Sequence, residues 1–266
     1  MQFCSINGVN TTQLSTLDRT IHYGDGVFTT AKIAQGKVVW LSSHIDRLKH
    51  SCQQFNIAGV NWSSLEKEIL NVVKPFEHHV LKVIISAGHS SKGYARGNDC
   101  TANTMLMIND FPIYYQLLQK SGVSVALAKS FVSINPMLAG VKHLNRLEQV
   151  LLKNELVSAK VDDLLATNSD GDIIETITGN VFMLINNQWC TPKLNKSGVA
   201  GLARMKLLNH FSGICVREIR VDETSNVKAM FTTNCLMPLL PVSSLEGRLL
   251  DISVCKPYLD YLNEIS

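Results

Sequence analysis

The chain of 266 residues is 45% hydrophobic and 18% charged with a formal charge of +3, which allows one large domain or two modest ones with a sizeable core. Its basic residues are scattered, which argues against a nucleic-acid partner. No apolar run approaches the ~20 residues of a membrane helix, and MQFCSINGVNTTQLS at the N-terminus lacks a basic-then-apolar leader, so a cytoplasmic protein without membrane association is expected.

Over the first 35 positions, apolar patches alternate with turn residues. Asn7-Gly8 reads as a hairpin turn, Gly24-Asp25-Gly26 as a tight loop and Gln35-Gly36 as a turn between VFTTAKI and KVVWL, which predicts antiparallel sheet. Ser42 or Ser43 is placed to cap a helix whose inner face is Ile45, Leu48, Cys52 and Phe55. A second helix is expected to open on a capping box of Ser63 and Glu66, turn Leu65, Ile69, Val72 and Val73 inward, and stop at Pro75. The strand-like runs HVLKVIISAG and NTMLMIND, separated by HSSKGYARGN, complete an α+β domain over residues 1–110. Residues 111–119, where a proline sits between aromatics, are the expected connection, and 120–266 the second domain.

The second domain opens with the strand VSVALA. In LAGVKHLNRLEQVLLKNEL, residues 138–156, the spacing of Leu144, Leu147, Leu151, Leu152 and Leu156 predicts a helix with one buried stripe after Lys142. That puts Lys142 at a buried boundary, where its ammonium loses solvation and a free amine becomes usable as a nucleophile or base. A surface lysine opening a helix would show the same spacing. Strands at LLAT, IIETITG, VFMLI and QWC follow, with turns at NSDG and Asn186-Asn187. A helix near Gly201, with Leu202, Met205 and Leu208 on one face, and a strand pair around EIRV and AMFTTN finish an architecture of strands with helices packed outside. Gly198 and Gly201 lie just before that helix, so backbone N–H groups of Gly201, Leu202 and Ala203 are placed to face an anion. Seven cysteines without a CxxC pair and eight histidines without ligand spacing predict neither a metal site nor a disulfide framework.

AGVKHLNRLEQ resembles the Schiff-base lysine segment of the fold-type IV pyridoxal-phosphate enzymes, and within them the aminodeoxychorismate lyases of folate synthesis. RTIHYGDGVFTTAK, HIDRLKHSC, ETITGNVF and TTNCLMPLLPV resemble further segments in the family's order, so the likeness covers nearly the whole chain. It implies a two-domain fold, with a smaller α+β N-terminal domain and a larger C-terminal domain on a β-barrel-like sheet. It also implies pyridoxal 5'-phosphate as cofactor and a homodimer.

By the same resemblance, Lys142 is the imine-forming lysine and Glu175 the partner of the pyridine nitrogen. Arg47 grips the phosphate in a fork geometry that lysine cannot offer, together with the turn of Gly201, Leu202 and Ala203. Asn234 and Cys235 are also expected at the cofactor. Branched-chain aminotransferases carry threonine where this chain has Ala203 and Cys235, so only backbone contacts carry over there. Phe28-Thr29-Thr30 and Asn234 are lyase-like, which places Thr30 in the substrate pocket, with Tyr23 and, for a carboxylate, Arg96 or Lys92. The implied reaction is elimination: 4-amino-4-deoxychorismate yields 4-aminobenzoate and pyruvate, with Lys142 moving the proton. The alternative is an aminotransferase of the same fold acting on D-alanine or branched-chain amino acids.

Overall fold

The computed structural model describes residues 1–90, 93–97 and 100–266. The chain forms two compact units, Met1–Pro112 with Lys142–Asn145, and Ile113–Val141 with Arg146–Ser266.

The first unit runs β1 (Phe3–Ile6), β2 (Val9–Asn10), α1 (Arg19–Tyr23), β3 (Gly26–Ala34), β4 (Lys37–Val38), α2 (Leu41–Gln54), α3 (Trp62–Val72), β5 (His78–Ser86) and β6 (Asn103–Asp110). Its strands form one antiparallel sheet in the order β2-β1-β6-β5-β3-β4. The expected turns form: Asn7 and Gly8 join β1 to β2, and Gln35 and Gly36 join β3 to β4, all four with positive φ as primed hairpin turns require. Along β3, Val27, Thr29, Ala31 and Ile33 are buried while Phe28, Thr30 and Lys32 are half-buried. The period of two assigns the first set to the face under α2, whose Ile45, Leu48 and Cys52 are buried.

Both helix starts differ from expectation. The N-cap of α2 is Trp40, in the left-handed region and without a side-chain cap, so neither Ser42 nor Ser43 serves. The cap of α3 is Asn61, whose side chain accepts from the Ser64 N–H at 3.1 Å. Asn61 competes with the capping box because its amide oxygen reaches the first free N–H groups one turn earlier.

The second unit comprises α4 (Tyr115–Ser121), β7 (Val123–Val132), α5 (Leu147–Ala159), β8 (Asp163–Asn168), β9 (Ile173–Thr176), β10 (Asn180–Ile185), β11 (Gln188–Pro192), α6 (Leu202–His210), β12 (Cys215–Arg217), β13 (Val227–Thr233), β14 (Leu240–Leu245), β15 (Arg248–Leu249) and α7 (Lys256–Glu264). The sheet order is β12-β11-β10-β13-β14-β7-β8-β9, with β15 on β14. Val125, Leu165, Ile173, Val181, Met183, Cys190, Met230 and Val242, drawn from seven strands across the sheet, meet in one buried cluster. A flat sheet cannot bring them together, so the sheet curls around that cluster. β7 pairs in parallel with β8, and α5 supplies the crossover that such a pair needs. On the opposite face, Phe182 and Phe231 stack at 4.8 Å and are flanked by Trp189 and Tyr258.

The helix predicted directly after Lys142 starts later, at Leu147, and its stripe is narrower than expected. Leu152 and Leu156 are buried, but Leu147 and Leu151 are 69% and 53% exposed. Leu144 lies before the helix. In α6 the inner face is Leu202, Ala203 and Leu207, and Met205 points outward.

Candidate active site

In the first unit, Lys142 sits on a short backbone hook rather than at a helix start. The Phe28 N–H donates to the Lys142 carbonyl at 2.9 Å, the Leu144 N–H donates to the Gly26 carbonyl at 3.0 Å, and Val27 bridges His143. Gly26 permits this approach: a Cβ there would lie 2.5 Å from the Ile85 carbonyl oxygen and 2.7 Å from Leu144 Cδ1. The hook lays Lys142 Nζ 4.5 Å from the centre of the Phe28 ring. A second amino group, Lys82 Nζ, lies 5.1 Å from the same ring. Lys82 is the cross-strand partner of Thr30, so Phe28, Thr30 and Lys82 share one sheet face. Burial pulls the Lys82 pKa below the usual lysine value. The sequence reading passed over Lys82, although a lysine at an inward-reading position of VLKVII was a signal for it.

Thr29 points the other way, into the face under α2. Its hydroxyl and His44 Nδ1 are 2.6 Å apart, and Arg47 Nη2 donates both to that hydroxyl and, at 3.3 Å, to His44 Nδ1. Because Arg47 donates to Nδ1, that nitrogen carries a lone pair, and Thr29 donates to it in turn. These contacts hold Arg47 Nη2 against Thr29 and His44. Of the threonine pair, Thr30 alone shares the face that bears Phe28 and Lys82.

Arg96, expected as a candidate carboxylate clamp, is engaged by groups of its own unit. Its guanidinium donates to both Asp25 carboxylate oxygens and to the carbonyls of Phe55 and Asn56. Arg19, 3% exposed, donates to Asp25 at 2.7 Å and to the carbonyls of Gly93 and Tyr94 at 2.7 and 3.0 Å. Burial alone would raise the Asp25 pKa, but the two guanidinium groups together hold it below the usual carboxylate value. The cluster ties the 93–97 segment to α1. Tyr23, at the end of α1, lies against the Tyr94 ring at 5.3 Å and under the Arg19 guanidinium at 4.8 Å. Lys92 lies outside the described residues.

The second unit holds Glu175 on β9, 7% exposed where a strand-end glutamate would ordinarily face water. Its Oε2 accepts from the Val199 N–H at 3.0 Å and from Asn180 Nδ2 at 3.3 Å. Asn180 Nδ2 also donates to the Val199 carbonyl at 2.8 Å, and Asn180 Oδ1 accepts from the Gly201 N–H at 3.0 Å. One asparagine thus couples the buried carboxylate to the start of α6. The closeness requires glycine, since a Cβ on Gly201 would stand 2.2 Å from Asn180 Oδ1. Gly201 is the N-cap and carries no side-chain cap, so the first turn of α6, with Leu202 and Ala203, presents backbone N–H groups and the positive end of the helix dipole. Burial lowers the Arg146 pKa while Glu175 and Glu148 counter that shift, so a cation stands close enough to Glu175 to attract it.

Asn234 is engaged in its own turn. Its Oδ1 accepts from the N–H groups of Leu236 and Met237, each at 2.8 Å, and its Nδ2 donates to the Thr178 carbonyl at 3.2 Å. Cys235 is half-buried in that turn. The neighbouring Thr233 was missed by the sequence reading. It is 2% exposed, and its Oγ1 has no hydrogen-bond partner among the described residues.

The model of the class IV aminotransferase family matches residues 26–245. The chain belongs to this family. Its members depend on pyridoxal phosphate. The aminodeoxychorismate lyase of Vibrio harveyi is 28% identical over 246 residues, 91% of this chain and 91% of that protein. The crystal structure of 4-amino-4-deoxychorismate lyase from Pseudomonas aeruginosa superposes with a TM-score of 0.92 at 27% identity, covering 98% of each chain. The D-alanine aminotransferase of Bacillus licheniformis is 26% identical over 242 residues, 87% of this chain and 82% of that protein.

Each unit by itself carries groups of the kind that pyridoxal phosphate calls for. The first unit supplies a primary amine on a rigid hook and an oriented guanidinium. The second supplies a buried carboxylate, an anion-ready helix start and an orphaned buried hydroxyl.

Proposed function

We propose that this class IV family member is a lyase that converts 4-amino-4-deoxychorismate to 4-aminobenzoate and pyruvate, the step that supplies the aromatic amine of folate synthesis. The observation that carries the reading is the pair of amino groups on Lys142 and Lys82 over one Phe28 ring: one to react with the substrate, one to hold a carboxylate. The full-length likeness to two lyases supports it. Pyridoxal phosphate, when bound, supplies an aldehyde for amines and a ring that accepts an electron pair. Lys142 would hold that aldehyde, with Glu175 placed for the pyridine nitrogen and Arg47 and the α6 turn for the phosphate.

With the substrate amine in place, Lys142 would stand beside it as a free amine. In that form it takes the proton from the ring carbon that bears the nitrogen. The bond from the adjacent carbon to the enolpyruvyl oxygen breaks, the ring becomes aromatic, and the departing enol gains a proton on its methylene carbon to become pyruvate. No second, keto-acid substrate is consumed. Borohydride reduction of the purified protein followed by peptide mapping should place the modification on Lys142, and pyruvate should appear in step with 4-aminobenzoate. Glutamate formed from D-alanine or a branched-chain amino acid and 2-oxoglutarate, with no pyruvate from aminodeoxychorismate, would decide for the aminotransferase reading instead.

Lys82 takes the carboxylate role expected of Arg96, because the Arg96 guanidinium is committed to Asp25 and two carbonyls. Lys82→Gln should raise KM about tenfold or more with a smaller change in kcat, as loss of a charge-assisted contact made equally in ground and transition states does. The pH dependence has a defined sign. Lys82 must be protonated to hold a carboxylate and its pKa is lowered, so wild-type KM should climb at a lower pH than an ordinary lysine would allow. A Gln variant with unchanged KM would remove Lys82 from the site.

The protein is further proposed to work as a homodimer in the cytoplasm. Leu147, Val150, Leu151 and Val157 of α5 are 69%, 52%, 53% and 83% exposed and fall along one stripe of the helix, which suits a covered surface. Sedimentation equilibrium should give twice the chain mass for wild type and a shift towards monomer for Leu151→Asp; a wild-type monomer at micromolar concentration would reject the dimer.

A further inference from the structure

The Thr233 hydroxyl is the polar atom near α6 that the proposed function leaves without a task. A buried hydroxyl with no partner is unfavourable and uncommon enough to need a reason. It is not a general property of this strand end, because the adjacent Thr232 hydroxyl, on the opposite face, lies 3.1 Å from the Thr176 hydroxyl.

Register gives the direction in which Thr233 projects. Thr233 is the cross-strand partner of Asn180, so the two side chains leave the sheet on the same face with Cβ atoms about 5 Å apart. On that face Asn180 holds the Gly201 N–H and the Val199 carbonyl, so the hydroxyl stands beside the first turn of α6. Phe231, two residues earlier on the same face, stacks on Phe182. Gly201, Leu202 and Ala203 bring no polar side chain to the turn. An anion there would meet backbone N–H groups and, from Thr233, one hydroxyl that is free to rotate towards it.

We infer that Thr233 donates its hydroxyl hydrogen to a phosphate oxygen of the bound cofactor, alongside the backbone N–H groups at the start of α6. The contact rests on the cofactor reading above and adds to it a residue to which the sequence analysis gave no role. A phosphate is an acceptor only, and a hydroxyl shielded from water makes a strong, short bond to it.

The test compares full-length wild type, Thr233→Val and Thr233→Ser by visible-absorbance titration with pyridoxal phosphate and by phosphorus NMR of the bound cofactor. Valine, which keeps the shape and loses the hydroxyl, should raise the cofactor Kd about ten- to a hundredfold and move the phosphorus resonance. Serine should keep both near wild type. Without cofactor, the valine variant should melt no lower than wild type, because an unpaired buried hydroxyl has been replaced by carbon. A valine variant with wild-type Kd and resonance would overturn the inference, as would a folded serine variant that binds like valine. If wild type itself develops no visible chromophore, the cofactor reading fails and this contact with it, and the blank wild-type titration tells that failure from the others.

Discussion

Lys142→Ala is expected to lower 4-aminobenzoate formation by about 10⁴-fold or more, because one substitution removes both the amine that joins the cofactor and the base that takes the substrate proton. The fold should survive. The hook that carries the residue is made by backbone groups, the Lys142 carbonyl and the Leu144 N–H, which alanine keeps. Loss of the amine's contact with the Phe28 ring should itself cost about 1 kcal/mol. Lys142→Arg keeps a cation over Phe28 and should be as inactive as alanine, which separates the chemistry from the charge. Partial rescue of the alanine variant by a small primary amine would mark the loss as chemical. An alanine variant that releases pyruvate from aminodeoxychorismate at the wild-type rate would end the proposal.

Glu175→Gln is expected to lower kcat by about 10²- to 10³-fold, the size of effect seen when a preorganised electrostatic partner is removed from a reacting centre. The amide has the same shape, and its oxygen can still accept from Val199, so the loop that leads into α6 should hold its place. On the proposed function, what is lost is the negative charge that would keep a proton on the pyridine nitrogen and hence keep the ring able to accept electrons. The decisive measurement separates kcat from cofactor affinity. A large fall in kcat with cofactor Kd changed only a few fold supports the electronic role. Wild-type kcat in the glutamine variant would leave Glu175 as a structural residue of the Asn180 network.

Much of the local structure is legible in residue order. The hairpins at Asn7-Gly8 and Gln35-Gly36 follow from turn chemistry alone, because only a few residue types tolerate positive φ at those positions. The β3 alternation that divides Thr29 from Thr30 likewise needs nothing beyond a period of two. Helix starts were less legible. Ser63 and Glu66 have the spacing of a capping box, yet Asn61 caps α3, because the cap depends on which N–H groups are left exposed once the helix has packed.

The site divides along the same line. Lys142, Glu175 and Arg47 stand out in the sequence through the family resemblance, since spacing alone reads the lysine and the glutamate as surface residues, and the glycines before α6 gain weight from the same resemblance. Arg96 misleads. Its type suits a carboxylate clamp, yet Asp25, distant in sequence and adjacent in space, takes the charge first. Lys82 and Thr233 show the converse, since Lys82 lies outside the resembling segments, Thr233 goes unmarked within one, and each gains meaning only from a neighbour across a strand.

Residue order by itself therefore determined the elements and the chemical kinds of group available, because backbone propensity and side-chain chemistry are local properties. Only the tertiary structure decided that Lys142–Asn145 joins the first unit and that Leu147 and Leu151 stay outside the core. It alone buried Glu175 and left the Thr233 hydroxyl without a partner. Those outcomes depend on which distant backbone comes within reach, as at Gly26, where a missing Cβ admits the hook that carries Lys142.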